Sequence, residues 1–137
     1  MTSVCTVDQD LLNQIEALRR DNSQGNAAIV CKIDQSKFLI VQESDGFVNI
    51  EELGDELPES SPRYIVLSFK LTHDDGRVSY PMVFVNYSPS GAKTELCMLY
   101  ASSRTQFQRV AQTTKTLDVD EAELLNLEWL QDKLKPK

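Results

Sequence analysis

The only histidine of the chain stands beside two aspartates, in the segment His73-Asp74-Asp75. An imidazole next to carboxylates could bind a metal ion or act as a general base. Because there is no second histidine, any such site would depend on His73 alone. The following Gly76 favours a plainer interpretation, since Asp-Gly is a strong hairpin signal and glycine takes positive φ without steric cost.

We therefore predict a hairpin turn at this segment and no enzymatic activity. An enzyme that uses His73 with Asp74 or Asp75 is an alternative, but no nucleophile motif, glycine-rich phosphate loop or metal-ligand spacing accompanies these residues.

Composition narrows the possible partners. The 137 residues carry 21 acidic and 14 basic side chains, which gives a net charge of −7 at pH 7. Nucleic acids and anionic membranes are bound by clustered Lys and Arg, and the nearest approach to a cluster is the pair Arg19-Arg20. We therefore expect no nucleic-acid partner and no membrane partner.

The cysteines and the first residues indicate a cytosolic protein. Cys5, Cys31 and Cys97 are scattered and include no CxxC pair, so they suit a reducing compartment and neither a disulfide framework nor a zinc site. The first ten residues lack the basic and apolar regions of a signal peptide. We expect no metal and no cofactor.

The elements that must position these residues begin with a helix. A helix is predicted from Val7 to Arg20, with Thr6 and Gln9 matching a capping box and one apolar face formed by Leu11, Ile15 and Leu18. Strands follow at 27–33 and 37–43, joined by a link at 34–37. Both strands are apolar on successive residues, which indicates a sheet covered on both faces.

A short helix and a second hairpin come next. Asn49 is expected to cap a helix that is stopped by Pro58 and turns Ile50, Leu53 and Leu57 inward. Strands at 63–72 and 77–87 then flank the His73 turn. The first places Ile65, Leu67, Phe69 and Leu71 on one face, and the second places Val78, Tyr80, Met82 and Phe84 on one face.

In the last third of the chain, the residue pattern predicts a loop at 88–93, a long helix at 94–113 and a strand at 114–119. A final helix is predicted at 121–134, with Asp120 and Glu123 at its start. Helices alternate with hairpins, so the chain is not a simple βαβ array. The fold class predicted is α/β (α+β), a central mixed sheet between helices, in one domain over residues 1–137.

The long helix has two unlike faces. Leu96, Tyr100, Ser103, Phe107 and Val110 form the stripe that should face the core. At about 100° per residue, Met98 points directly away from that stripe. Its neighbours on the far side are small or polar, with few charges, and flexible, polarisable Met suits a binding surface. A lone exposed methionine without a function is the alternative.

Several segments of the chain closely resemble the glia maturation factors: "NAAIVCKID" at 26–34, "DELPESSPRYIV" at 55–66, "HDDGRVSYPMVF" at 73–84, "MLYASS" at 98–103 and "LEWLQDKL" at 127–134. These proteins are a branch of the actin-depolymerising factor homology superfamily, which has the cofilin-like fold. The resemblance covers nearly the whole chain in order, and "YASS" is shared with cofilins more widely.

The resemblance implies a non-enzymatic regulator of the actin cytoskeleton. It implies binding to the actin-related protein 2/3 complex, inhibition of branched nucleation and promotion of debranching, with weak or no binding to actin itself. It also implies a location in the cytoplasm, at actin-rich structures such as the cell cortex and cortical patches. The sequence leaves the oligomeric state open, and a monomer is the default expectation. A cofilin-like protein that binds and severs actin directly is the alternative.

The difference from cofilins has a physical reason. The resemblance places Met98 where cofilins insert a methionine, flanked by lysines, into a cleft on actin. In this chain the flanking positions are Glu95 and Cys97. An acid in place of a cation should be repelled by an acidic cleft, since like-charge contacts can cost several kcal/mol.

The resemblance also implies two partner-binding surfaces. Surface one joins the N-terminal tail to the long helix: Thr2, Ser3, Arg19, Arg20, Glu95, Met98, Ser102, Thr105 and Arg109. Surface two lies at the hairpin and the last helix and matters for debranching: His73, Asp74, Asp75, Arg77, Glu128 and Asp132.

Ser3 is a possible phosphorylation site, because cofilins are switched off by phosphorylation of a serine near the N-terminus. A phosphate adds about −1.5 to −2 charge at pH 7 and should weaken docking on an acidic partner. An unmodified serine in a disordered tail is the alternative.

Overall fold

Strands drawn from most of the chain form one mixed sheet in the computed structural model, which describes residues 6–20, 27–43, 48–58, 60–113 and 115–134. The strands are β1 (Thr6–Val7), β2 (Ala27–Asp34), β3 (Leu39–Gln42), β4 (Val48–Asn49), β5 (Arg63–Ser68), β6 (Leu71–Thr72), β7 (Val78–Ser79), β8 (Met82–Tyr87) and β9 (Lys115–Val119). The helices are α1 (Gln9–Arg20), α2 (Leu53–Glu56), α3 (Thr94–Ala111) and α4 (Leu127–Leu134).

The main sheet runs in the order β1-β3-β2-β5-β8-β9, with β4 also paired to β2. The pairs β1–β3 and β8–β9 are parallel, and the pairs that join β2, β3, β5 and β8 are antiparallel. The short strands β6 and β7 form a separate two-stranded ribbon. The prediction of a mixed sheet is therefore confirmed.

Two apolar layers cover the two faces of the sheet. On one face, α1 and α3 contribute Leu11, Ile15, Leu18, Tyr100 and Phe107. On the other, α2 and α4 contribute Leu53, Leu130 and Leu134. Central strands alternate between the layers: in β2, Ile29 and Cys31 face α1 and α3, whereas Ala28 and Val30 face the opposite layer. This double burial is why β2 and β5 are apolar on successive residues.

The first helix has the predicted apolar face but a different start. Leu11, Ile15 and Leu18 are buried, as expected. The capping box at Thr6 is wrong: Thr6 lies in β1, pairs in parallel with Leu39, and donates its N–H to the Phe38 carbonyl. The β-branched Thr-Val pair fits an edge strand, and the helix begins after it at Gln9.

The first hairpin is confirmed, with its turn one residue later than predicted. Asp34 pairs with Leu39, and its carboxylate accepts hydrogen bonds from the backbone N–H and the hydroxyl of Ser36. The strand begins at Leu39 and not at residue 37, because Phe38 takes a left-handed φ of 47°. The short helix is also confirmed: Asn49 caps the turn Ile50–Glu52 that leads into α2.

Each long strand of the second hairpin is broken into two. The predicted strand 63–72 becomes β5 and β6, and the strand 77–87 becomes β7 and β8. Pro81 has no N–H to give to a ladder, although its carbonyl still accepts from the N–H of Phe69 at 3.2 Å. The predicted apolar face holds for Ile65, Leu67, Phe69 and Leu71, whereas Val78 is exposed.

The later helices end and begin at different residues than predicted. Helix α3 stops at Ala111, where Gln112 takes a left-handed φ of 55°, and Val110 is 40% exposed while Ala111 is buried in its place. The last helix does not start at Glu121. A 3₁₀ turn at Ala122–Leu124 comes first, and the Asn126 side chain then accepts the Trp129 N–H at 2.8 Å as a helix cap.

Tyr100 fixes α3 over the sheet. Its hydroxyl accepts a hydrogen bond from the backbone N–H of Ile33 at 3.0 Å. Ile33 is near the end of β2, beyond the first residue of the neighbouring strand β5, which Pro62 precedes. Tyr64 returns a hydrogen bond from its own hydroxyl to the Tyr100 carbonyl. The Tyr64 ring lies 5.0 Å from the Tyr100 ring and 5.2 Å from the Phe107 ring. Burial raises the pKa of Tyr100, so the hydroxyl keeps its proton at neutral pH.

Within the described part of the chain, no helix has the length and apolar content of a membrane span.

Tyr100→Phe should lower the free energy of unfolding by about 2 kcal/mol, because the buried Ile33 N–H would lose its acceptor. Urea denaturation followed by circular dichroism measures the change. Tyr80→Phe is the control, since it removes a hydroxyl from a half-buried tyrosine with no hydrogen bond among the residues described, and it should stay within about 0.5 kcal/mol of the parent. Equal losses in the two variants would contradict the anchoring role of Tyr100.

Candidate functional site

The outward face of α3 carries an exposed apolar side chain. Met98 is 68% exposed, as predicted from the helical spacing, while Tyr100, Ser103 and Phe107 of the same helix are buried against the sheet. Exposed Met98 lies among residues that are also exposed: Glu95, Ala101, Ser102, Thr105 and Arg109. The Ser102 hydroxyl donates to the Leu99 carbonyl at 2.8 Å and so stays close to the helix. Met98 therefore projects from a surface on which most of the neighbouring side chains are short.

The charges of this face are separated along the helix. Glu95 is in the first turn of α3 and Arg109 is in the last, which suits the helix dipole at both ends. Cys97 is half-buried, and its Sγ lies 3.5 Å from the Ser88 Oγ. Of the two positions that flank Met98, Glu95 is therefore the exposed one.

Arg19 brings the end of α1 to the end of α3. Its guanidinium donates to the carbonyls of Ala111 and, at 3.5 Å, of Gln112, and it also pairs with Glu16. Arg20 is exposed, with its Nε 3.4 Å from the Glu16 carbonyl. Helix termini leave carbonyls without partners, so the Arg19 contact caps α3. Arg19 thus has a structural role that the sequence did not reveal.

A cleft lies beside this junction, lined by Thr105, Gln108, Arg109, Gln112 and Thr113. The structure therefore brings Arg19, Thr105 and Arg109 to one end of the α3 face, with Glu95 and Met98 toward the other. Thr2 and Ser3, the remaining members of surface one, lie outside the described residues, and so does the predicted phosphorylation of Ser3.

The His73 segment is a hairpin turn, as predicted. The His73 N–H donates to the Arg77 carbonyl at 2.8 Å, and the Gly76 N–H donates to the His73 carbonyl at 3.0 Å. Gly76 takes a φ of 93°, the conformation for which glycine is needed. The Asp75 carboxylate accepts hydrogen bonds from the backbone and the side chain of Arg77, and the backbone hydrogen bond holds the pKa of Asp75 below its ordinary value.

The side chain of His73 is not fully solvated at this turn. The imidazole is half-buried, and its Nε2 lies 2.9 Å from the Ser79 Oγ across the ribbon. Asp74, Asp75 and Arg77 are exposed. Among the residues described, no group of three or more His, Cys, Asp or Glu side chains converges as a metal site would require. Burial raises the pKa of the Cys31 thiol, so it is not a reactive thiolate.

Gln131 joins the hairpin to the last helix. Its side-chain amide donates to the Thr72 carbonyl at 2.9 Å, and its amide oxygen lies 3.5 Å from the Thr72 N–H. One side chain of α4 thus pairs with the backbone of β6 as a neighbouring strand would. Glu128 and Asp132 are exposed on the same helix. The residues of surface two are thereby held together, by a contact that helical spacing alone could not identify.

The two surfaces belong to opposite layers of the molecule. Surface one is on α3, which packs on the layer that contains Phe84 and Phe107. Surface two is on α4 and the β6–β7 ribbon, in the layer that contains Leu71 and Leu130. The sheet therefore lies between the two predicted surfaces.

Comparison with known proteins identifies relatives over nearly the full chain. The family model described as "Cofilin/tropomyosin-type actin-binding protein" matches residues 4–135. Human glia maturation factor beta is 45% identical over 133 residues, which cover 96% of this chain and 93% of the human protein. Glia maturation factor of Drosophila melanogaster is 36% identical and covers 96% of both chains. The solution structure of glia maturation factor from Caenorhabditis elegans superposes with a TM-score of 0.81 at 32% identity, covering 98% of this chain and 100% of that one.

Gln131→Ala should speed amide hydrogen exchange at Thr72 and the paired residues of β6 and β7 by roughly tenfold, because about one hydrogen bond of net stability is lost from a two-residue ribbon. Exchange in β5 and β8 should not change. Asp132→Ala, which alters the next and exposed residue of α4, is the matched control. If both variants left the hairpin amides equally protected, Gln131 would not be what holds the ribbon.

Proposed function

Because this chain belongs to the cofilin/tropomyosin-type actin-binding family, in its glia maturation factor branch, we propose that it binds the actin-related protein 2/3 complex, inhibits branched actin nucleation and promotes debranching of filament networks. The family consists of non-enzymatic regulators of the actin cytoskeleton, and the chain is one of them. The proposal concerns the particular partner and the step that is regulated.

The observation that carries the proposal is the exposure of Met98 on the rigidly held α3. Met98 is 68% exposed. This fraction is larger than that of the other exposed large apolar side chains in the described ranges, Phe38, Val78 and Val110. An unbranched, polarisable side chain can enter an apolar cleft with little rotamer strain. Small and hydroxyl-bearing neighbours allow a partner backbone to come close. Surface one in this proposal docks on an actin-related subunit with Met98 at its centre.

Surface two acts in debranching in this proposal. Its location in the opposite layer leaves it accessible while α3 is covered, so one molecule can hold the complex with one face and contact the filament side with the other. The acids Asp74, Glu128 and Asp132 are exposed there. The protein acts as a monomer in the cytoplasm, at the cell cortex and cortical actin patches.

Binding of actin itself is the second candidate, and the family's description favours it. The exposed Glu95, one turn before Met98, argues against tight binding to an acidic cleft. The half-buried Cys97 makes a smaller contribution, since it is turned toward Ser88. Selectivity for the actin-related complex over actin thus depends mainly on Glu95.

Met98→Ala should weaken binding to the purified actin-related protein 2/3 complex by about tenfold, or about 1.4 kcal/mol, because a central apolar contact is lost. Val110→Ala is the control, since it truncates another exposed apolar residue of α3 outside the Met98 face and should bind as the parent does. Fluorescence anisotropy gives the affinities, and branch counting by microscopy in the presence of the complex gives the effect on nucleation and branch lifetime. A parent chain that neither binds nor changes branch density would end the proposal.

Glu95→Lys should raise affinity for actin at least about threefold, because it replaces a repulsive charge by an attractive one, and the gain should shrink as salt is added. Cosedimentation with filaments and a monomer-binding assay measure it. Glu121→Lys makes the same change in net charge at an exposed position before the 3₁₀ turn at 122–124. An equal gain in that control would assign selectivity to overall charge and not to Glu95.

A further inference from the structure

A serine-proline pair lies beside the α3 face and belongs to neither proposed surface. The sequence contains two such pairs, Ser61-Pro62 and Ser88-Pro89. Proline-directed protein kinases use this type of acceptor, because their substrate groove accepts a residue after the serine that lacks an N–H. Both pairs consist of a half-buried serine, outside any helix or strand, before a buried proline, and they differ in the hydrogen bonds of the serine.

Ser88 takes part in hydrogen bonds that stabilise the fold. Its N–H donates to the Val119 carbonyl at 2.9 Å, and its hydroxyl lies 3.5 Å from the Cys97 Sγ. Ser61 lies two residues before the start of β5, in a bend outside any helix or strand. It is half-buried and Ser60 before it is exposed, while Pro62 is buried and disfavours a helical conformation at Ser61. Of the two serines, Ser61 is therefore the one whose N–H and hydroxyl make no hydrogen bond among the residues described, so it can be displaced into a kinase groove at lower cost.

The surroundings of Ser61 can accommodate a phosphate. Ser61 lines two adjoining clefts, together with Gln35 and Leu96. The first, of about 360 Å³, is also lined by Lys32, Arg63 and Tyr100. The second, of about 380 Å³, is also lined by Gly91, Lys93 and Glu95. Each of the two clefts that Ser61 lines thus contains at least one cation.

These cations are not equally available to a new anion. The Arg63 guanidinium is held by both carboxylate oxygens of Glu43 at 2.9 Å. Lys93 is exposed, and it makes no ion pair with any residue in the described ranges. Asp34, an acid of the first cleft, already accepts two hydrogen bonds from Ser36. Lys32 also makes no ion pair in the described ranges, but it is half-buried, so the exposed Lys93 is the more accessible cation for a phosphate on Ser61.

We propose that Ser61 is a phosphorylation site for a proline-directed protein kinase, and that its phosphate pairs with Lys93 and weakens docking at the α3 face. The Ser61 Oγ forms a bond to the γ-phosphorus of ATP, the bond from that phosphorus to the β–γ bridging oxygen breaks with its electron pair leaving on ADP, and the hydroxyl proton passes to the kinase's carboxylate base. The regulatory half of the proposal rests on the proposed function.

The weakening follows from charge and bulk at one end of surface one. Glu95 lies in the same cleft as Ser61 and belongs to that surface. A phosphate adds about −1.5 to −2 charge at pH 7 next to an existing carboxylate. A partner that covers Glu95 and Met98 must then desolvate both the Glu95 carboxylate and the phosphate, or dock less closely. Either outcome raises the free energy of the complex.

Site assignment is tested with a purified proline-directed kinase of the mitogen-activated class, ATP and the full chain, followed by mass spectrometry. Phosphate is expected on Ser61, to be lost in Ser61→Ala and retained in Ser88→Ala and Ser60→Ala. Phosphate on Ser88 alone, or none, would overturn the assignment. Phosphorus NMR then titrates the phosphoserine, whose second pKa should rise in Lys93→Ala relative to the parent; no difference would overturn the pairing.

Regulation is tested by comparing affinities for the actin-related protein 2/3 complex. The phosphorylated chain should bind at least about tenfold more weakly than the unmodified chain, and the kinase-treated Ser61→Ala variant should bind as the unmodified chain does. Equal affinity with and without phosphate would overturn the regulatory role. Absence of binding by the unmodified chain would instead overturn the proposed function and with it this regulatory role, while the mass spectra and the titration would still decide the modification site.

Discussion

One constraint orients the functional face of this protein: the hydrogen bond between the Tyr100 hydroxyl and the backbone N–H of Ile33. The N–H lies beyond the residues of β2 that pair with β5, and the Tyr100 hydroxyl of α3 is its acceptor. Since a buried donor without a partner is costly, the rotation of α3 about its axis is fixed by this bond and by the rings of Tyr64 and Phe107 around it. Met98 is two residues earlier on the same helix, about 200° around its axis, and therefore points outward.

The other end of the helix is fixed by polar contacts of a different kind. Arg104 pairs with Asp118 of β9 at 3.0 Å, Gln108 hydrogen-bonds Thr116 of the same strand, and Arg19 caps the last carbonyls from α1. A surface on a helix so held can bind by preformed shape and spends little conformational entropy on docking. Specificity can then be set by single charges at its edge, which is where Glu95 and, in our proposal, a phosphate on Ser61 act.

Opposite layers of one sheet carry the two surfaces, and each is stabilised by a contact that crosses between elements far apart in the chain. Gln131 and Thr72 are 59 residues apart, and Arg19 and Ala111 are 92 apart. The His73 turn acquires its significance in this way. It is not a catalytic cluster but a hairpin turn at one edge of the proposed surface two, with His73 hydrogen-bonded to Ser79 and Asp75 hydrogen-bonded to Arg77.

The sequence alone determined the buried face of the first helix, the Asn49 cap, the positive φ at Gly76 and the outward direction of Met98, because each depends on residues within one or two turns of one another. Tertiary structure decided the rest. Thr6 lies in an edge strand and does not cap a helix, because its backbone pairs with β3. Tertiary structure divided the long hairpin near Pro81, where the ribbon leaves the sheet, and delayed the last helix to Leu127, since Asn126 caps it after Leu125 is buried. It also made Arg19 and Gln131 structural, because a hydrogen bond between distant elements depends on the packing of the whole layer and leaves no periodic pattern in the chain.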